Sequence, residues 1–410
     1  MQAPDDFTPV IQTRRALFNI LEGQMRRGDD SDLKIGTGQV KTAVVEVDGY
    51  GGISQSDATA FVERTMRFGA SRKRDTCTVT ALDEEGFFQV IYSGRKSDFT
   101  IWVDTLTDPR YWLAFTLDRA EGFDRLLDRT AEGTKHFDRI WLWPQFLERE
   151  HFGGVVRGFG LWYDYNTYLS KLPGGFDDFG PSILKMQIWG GRGTWEFYEY
   201  LRQGYQDQVI LSRILVKKRG EAQAYADENL SYAGKFVVKG NDFSLHHDTL
   251  NQLRTQYRKE ISRVEAVGLG WTTLESGAHR LEGYAINIVP EGNFRIDVQA
   301  FKGYVFSGAK PFRLVGLPAE ESKTRLVMDV VDLHMKTTMR FEIYPDLITI
   351  YLKKGQCGNS IARFYTNLQH YFGARFSVEA DNGERFFDTA IDESISGAGE
   401  RSQETPTGID

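Results

Sequence analysis

Residues Phe341 to Phe372, FEIYPDLITIYLKKGQCGNSIARFYTNLQHYF, decide the fold class, because they hold a strand, a tight turn and a helix with little room for another assignment. Ile343, Leu347, Ile348, Ile350 and Leu352 form an apolar, β-branched run broken only by Pro345 and Asp346, which is the composition of a sheet strand. Lys353-Lys354-Gly355 ends it. Ile361, Phe364, Tyr365, Leu368, Tyr371 and Phe372 then recur at helical spacing, which predicts a buried helix face. Asn359 or Ser360 is expected to cap the first turn and Gly373 to close the helix.

Working outward, the C-terminal part reads as antiparallel sheet carrying helices. Arg325 to Leu333 and Thr337 to Ile343 continue the sheet, and Tyr284 to Val289 adds a strand before the turn Pro290-Glu291-Gly292-Asn293. Phe294, Ile296, Val298 and Ala300 alternate with polar residues, so Phe294 to Phe301 is also expected as strand. Ser244 to Val267 predicts a helix with a narrow apolar stripe, capped by Ser244 or Asp248.

The N-terminal part mixes elements: a helix at Thr13 to Arg27, a strand at Thr42 to Val47, a helix at Ser56 to Phe68 and a hairpin of Thr76 to Leu82 with Phe87 to Tyr92. Asp98 to Val103 adds a strand, and Asp108-Pro109 is expected to start a long helix running through Trp112, Phe115 and Leu127. Between these parts lie strands at Arg139 to Trp143 and Val155 to Tyr163, the glycine-rich loop LPGGFDDFGP, a helix over Thr194 to Lys218 and a polar hinge, KKRGEAQAYADENLS. The expectation is an α+β chain with a mixed α/β unit over 1–135, an aromatic- and glycine-rich middle unit over 136–232 and an antiparallel sheet with helices over 233–388. Residues 389–410 read as a disordered acidic tail.

The net charge is −7, and Phe376 to Asp410 alone carry nine acids against two arginines, so the remaining 375 residues are neutral. Global charge therefore argues neither for nor against nucleic acid, and any electrostatic site is local. The two cysteines, Cys77 and Cys357, lie far apart and show neither redox nor metal spacing, which points to a reducing cytoplasm. No apolar run approaches the roughly 18 to 20 residues that span a bilayer.

Several constellations are candidates for chemistry. The turn KKGQCGNS feeds a helix N-terminus, where free amides with Lys353, Lys354 and Asn359 would favour an anion. Cys357 there is a candidate nucleophile, but no neighbouring residue supplies a base. The turn Asp48-Gly49-Tyr50-Gly51-Gly52 lacks the third glycine of a dinucleotide-binding turn. His246 and His247 are adjacent, so they point apart on a helix and do not chelate one metal. Asp297 with Gln299 and Lys302 lacks the close acid-x-lysine spacing of metal-dependent nucleases, and Asp329 and Asp332 face opposite sides of a strand. The main candidate binding surface is the basic side of the 244–267 helix, Arg254, Arg258, Lys259 and Arg263, together with Arg72-Lys73-Arg74 and Lys217-Lys218-Arg219.

These readings predict a non-catalytic binding or scaffold subunit of a cytoplasmic assembly, with other protein subunits as partners and nucleic acid as a candidate ligand. A prokaryotic defence complex is one such setting. No cofactor, metal or membrane association is expected. The alternative is a hydrolase or nuclease with a site near Cys357 or the scattered acids of the C-terminal sheet.

Overall fold

A computed structural model describes residues 11–29, 39–70, 76–93, 98–164, 183–191, 193–205 and 209–387. The glycine-rich loop at 172–181, Arg72-Lys73-Arg74 and the acidic stretch 389–410 lie outside the described residues. What is described is an α+β protein of antiparallel sheets. Its helices are α1 (Arg14–Asp29), α2 (Gln55–Met66), α3 (Ala120–Gly133), α4 (Pro144–Arg149), α5 (Thr194–Gly204), α6 (Phe243–Ala266), α7 (Val298–Val305) and α8 (Asn359–Phe372).

The first sheet runs β2 (Thr76–Ala81), β3 (Phe87–Ser93), β4 (Phe99–Asp104), β5 (Tyr111–Thr116), β1 (Val40–Val47), β11 (Lys235–Gly240), β10 (Tyr225–Ser231), β9 (Leu211–Arg219), β7 (Val155–Asp164) and β8 (Ile183–Trp189). The short strand β6 (Phe137–Arg139) also pairs with β1. A second sheet runs β15 (Leu314–Glu321), β16 (Leu326–Asp332), β17 (Thr338–Tyr344), β18 (Leu347–Leu352), β14 (Ile286–Pro290), β19 (Phe376–Ala380) and β20 (Arg385–Phe386). A two-stranded sheet of β12 (Gly270–Thr273) and β13 (His279–Glu282) stands apart from both.

Strand β1 is the seam. All eight of its residues are buried, because alternate side chains serve two cores: Val40 and Val44 join one with α1 and α6, while Ala43, Val45 and Val47 pack with α2 and α3. Val40 to Ala43 pair with β11 and Lys41 to Glu46 with β5. One sheet thus draws strands from all three of the stretches 1–135, 136–232 and 233–388.

Several expected elements are replaced. Tyr111 to Thr116, expected inside a long helix, is strand β5, and the helix begins only at Ala120. The strand is buried on both faces, so its apolar run carries no period to separate strand from buried helix. The helix expected to reach Lys218 stops at Gly204, and the expected hinge instead pairs as β9 and β10 over seven residue pairs. Phe294 to Phe301 is not a strand: Asp297 accepts a bond from the Ala300 amide at 2.8 Å and starts α7. Of the expected strand at Arg139 to Trp143, only Arg139 falls in a strand, as the last residue of β6.

The stretch Phe341–Phe372 folds as β17, a turn at Pro345-Asp346, β18 and α8, with Gly373 closing the helix in the left-handed region at φ 59°. Its N-terminus departs from expectation. Gly358 is the N-cap, and Asn359 and Ser360 are fully buried and bonded elsewhere. In α6 the cap is Asp242, which accepts bonds from the amides of Ser244 and Leu245, and not Ser244 or Asp248. No helix among the described residues is long and apolar enough to cross a membrane.

Candidate functional site

Helix α8 is buried on its polar side as well as its apolar one: Asn359, Ser360, Arg363, Thr366, Asn367, Gln369 and His370 are all inside. Such a helix needs internal partners. Arg363 donates to Asp138 at 2.6 Å and pairs with Asp332. Asp332 also accepts from Ser360 Oγ at 2.5 Å and from the His334 amide at 2.8 Å. Asn359 donates to the Arg139 carbonyl at 3.0 Å and accepts from the Tyr257 hydroxyl, which itself accepts from the Trp141 amide at 3.1 Å. Burial lowers the His334 pKa well below its usual range, and the Arg363 charge adds to that effect. We expect Tyr257→Phe, which strands the Asn359 carbonyl and the Trp141 amide, to cost about 1–3 kcal/mol, read as a shift in the denaturant midpoint.

A second cluster joins β1, β5, α6 and the start of α8. Arg110 donates to Glu46 at 2.7 Å and bridges to both oxygens of Glu265, at 2.9 and 2.5 Å. Glu265 accepts from the Gly358 amide at 2.8 Å. The anion expected at this helix start is therefore supplied by the protein's own carboxylate. Cys357 Sγ lies 3.4 Å from both Glu46 oxygens, and burial pushes its thiol well up, with the Glu46 charge adding to the effect. A nucleophilic thiol needs the opposite environment. His334 and His370, which only the fold could bring to Cys357 as a base, sit elsewhere: His334 near Asp138 at 3.6 Å, and His370 on the Trp162 carbonyl at 2.9 Å.

Arg110 divides one charge between two carboxylates, so desolvation outweighs it at Glu46 and raises that carboxyl to about 7. A carboxyl raised on folding stabilises the fold below its unfolded value, and that contribution fades as pH climbs to the folded one. Wild-type stability should fall between about pH 4.5 and 7 by roughly 1–3 kcal/mol. Glu46→Gln should flatten that slope in denaturant titrations.

The basic side of α6 is only partly a surface. Arg254 is 4% exposed and donates to Asn251 at 2.7 Å. Arg263 is held by Glu260 and Glu384 at 3.0 and 3.1 Å. Arg258 reaches Asp108 at 2.9 Å, and Lys259 is exposed. Lys353 and Lys354 are exposed, while Asn359 belongs to the interior. The seven candidate binding residues thus do not converge.

His246 is also structural, with its ring between Thr42 and Glu228 at 2.8 Å each. Lys302 pairs with Glu321 at 2.5 Å while Asp297 caps α7. Asp329 is exposed and Asp332 buried, on opposite sides as expected. Gly49 and Gly52 take positive φ at 79° and 86°, which is what the turn after β1 requires of them. A cavity of about 290 Å³ adjoins that turn, but Asp83, Glu84 and Glu85 line it, which disfavours phosphate. Among the described residues no group of three or more metal-ligating side chains is placed to hold an ion.

The feature that charge and aromaticity do bring together is a groove of about 600 Å³ on the outer side of β7 and β9. Its walls are His151, Arg157, Trp195, Glu196, Lys217 and Arg219, with glycines 154, 191 and 193. Strand alternation produces it. Lys218 points inward and donates to Thr249 at 3.0 Å, so Lys217 and Arg219 point outward together. Their Cα atoms are about 6.7 Å apart along the strand. Arg157 bonds the Gly190 carbonyl at 3.3 Å, and Lys217 lies 3.4 Å from Asp227. Trp195 stacks on Tyr198 at 4.7 Å and meets the His151 ring edge-on. Burial lowers the His151 pKa, and its Nε2 has no hydrogen-bond partner among the described residues. Lys217-Lys218-Arg219 marks the spot in the sequence, but a helical reading of this stretch does not show which of the three face out.

The family model for MJECL33-like proteins matches residues 6–387. The uncharacterized protein MJECL33 of Methanocaldococcus jannaschii is 22% identical, over 92% of this chain and 96% of its own length. No solved structure matches. With the match running across nearly all the described elements, from α1 to β20, the chain belongs to the MJECL33-like protein family.

Proposed function

We propose that this protein is a non-catalytic binding subunit of a cytoplasmic assembly, and that the groove of Arg157, Trp195, Lys217 and Arg219 takes single-stranded nucleic acid. The observation that carries this reading is the pairing of outward cations with a half-buried indole in one groove. Such grooves hold single strands by phosphate contacts and base stacking, without reading sequence. An indole at the groove wall can stack on the free base faces of a single strand, whereas a duplex presents its bases only along groove edges. The reading is further supported by the state of the groups that chemistry would need. Cys357, Glu46, Asp138 and Asp332 are tied to one another and to arginines in the interior, and none of them lines the groove or the cavity beside the Gly49 turn.

The test is capture of the tagged full chain from its native cells with and without nuclease treatment. Nucleic acid recovered in the untreated sample, with protein partners persisting after nuclease, is the expected result. Recovery of neither would count against both halves of the proposal.

A further inference from the structure

Beyond the groove, the outer side of the same sheet carries charge of one sign. Along 185–189 of β8, 155–160 of β7 and 213–219 of β9 the sequence holds no aspartate or glutamate, and it brings Lys185, Arg157, Arg213, Lys217 and Arg219 to that side. Alternation fixes which side it is. Ile188, Phe159, Ile214 and Val216 turn to the core, so Gln187, Trp189, Arg213 and Leu215 turn away from it, as Lys217 does. From Arg219 at the groove to Arg213 this face extends for about 20 Å along β9.

Two residues on it stand out. The Trp189 indole lies against the backbone of its cross-strand partner Gly158, where an added Cβ would stand 2.2 Å from the indole Cε3. A side chain at 158 would therefore push the ring off the sheet. The indole is still 44% exposed, which leaves area for a stacking partner.

Arg213 is half-buried and makes no hydrogen bond or ion pair among the described residues. Asp124 is the acid that acts on it, and that carboxylate is already paired with Arg139 and Lys235. Burial works against the Arg213 charge, and an anion at this face would offset that. Between Arg213 and Gln187 stands Gly160, where an added Cβ would meet the Arg213 Cβ at 3.3 Å and the Gln187 Cγ at 3.6 Å.

Resting on the reading that the groove takes single-stranded nucleic acid, we propose that the strand runs on across this face, with a base stacked on Trp189 and a phosphate on Arg213. Complementarity selects the occupant: cations without acids suit a polyanion, and an indole lying open on a sheet suits a free base. A duplex would bring the phosphates but no free base face to Trp189.

The experiment is fluorescence anisotropy of the full chain with two labelled oligothymidylates of about 4 and about 16 nucleotides, the limits of the site sizes such surfaces show. The longer one should bind more tightly. Trp189→Ala should weaken it about 5- to 150-fold, the range for one base stack, and leave the shorter one unchanged. Arg213→Gln should reduce the salt slope of the longer one by about 0.7, with a thermal midpoint to separate a lost contact from a lost fold. Trp189 is exposed on an edge strand, so its variant keeps the fold and decides the matter even where Arg213→Gln unfolds the chain. Trp271→Ala, on the separate β12–β13 sheet, is the control and should change neither affinity.

Equal affinity for the two lengths, an unaltered affinity of Trp189→Ala for the longer one, or equal competition by a duplex would overturn the proposal while the groove stands. Binding of neither length would overturn the groove reading and the proposal together.

Discussion

Arg363→Met is expected to destabilise the protein by about 3–5 kcal/mol, the cost of leaving buried carboxylates without their cation. Asp138 and Asp332 are both fully buried, and Arg363 is the cation they share. Desolvation already raises the Asp138 pKa against the pull of Arg363. Without the guanidinium the pair would have to take up a proton to stay inside. The variant should therefore regain part of its stability as pH falls from 7 toward 5, which a simple cavity would not do. Adding Asp138→Asn and Asp332→Asn should restore much of the loss at neutral pH by removing the stranded charges. Denaturant midpoints across that pH range check all three expectations, and a pH-independent deficit would mean that packing, not charge, is what Arg363 supplies.

The second large effect concerns the groove. Trp195→Ala should weaken single-stranded binding by about 1–3 kcal/mol, the range for one lost base stack. Arg157→Glu with Arg219→Glu reverses two cations at groove walls and should weaken it further while flattening the salt dependence. Arg254→Ala is the control: its guanidinium is buried and bonded to Asn251, so any loss of affinity there should follow a loss of stability. Equal losses from the groove variants and from Arg258→Glu with Lys259→Glu would move the site back to α6.

Local pattern carried much of the fold. The strand, turn and helix of 341–372 are visible because Pro345, Gly355 and Gly373 punctuate runs of clear period. The hairpin at 76–92 and the ends of α6 are visible for similar reasons. Misreading came where burial erases period, as in β5, or where a short helix borrows strand alternation, as at Phe294 to Ala300. Strand β9 reads as helix because its inward Lys218 looks like surface. Its partner, Thr249, lies 31 residues away.

The candidate site was less legible because its determinants are long-range. Nothing near Gly358 announces that Glu265, 93 residues earlier, fills the helix start. Nothing near Cys357 announces Glu46, 311 residues away. Each basic cluster looked alike as sequence, and only the fold sorts Arg254 inward from Arg219 outward.

The most direct measurement is the affinity of the full chain for a labelled single-stranded oligonucleotide by fluorescence anisotropy, titrated across salt. Two or three groove cations predict binding at low salt whose log K falls with log salt at a slope of about −1.5 to −2, roughly 0.7 for each phosphate contacted. The Arg157→Glu, Arg219→Glu chain should lose both the affinity and the slope. No binding at low salt, or binding unchanged in that variant, would contradict the assignment of this groove.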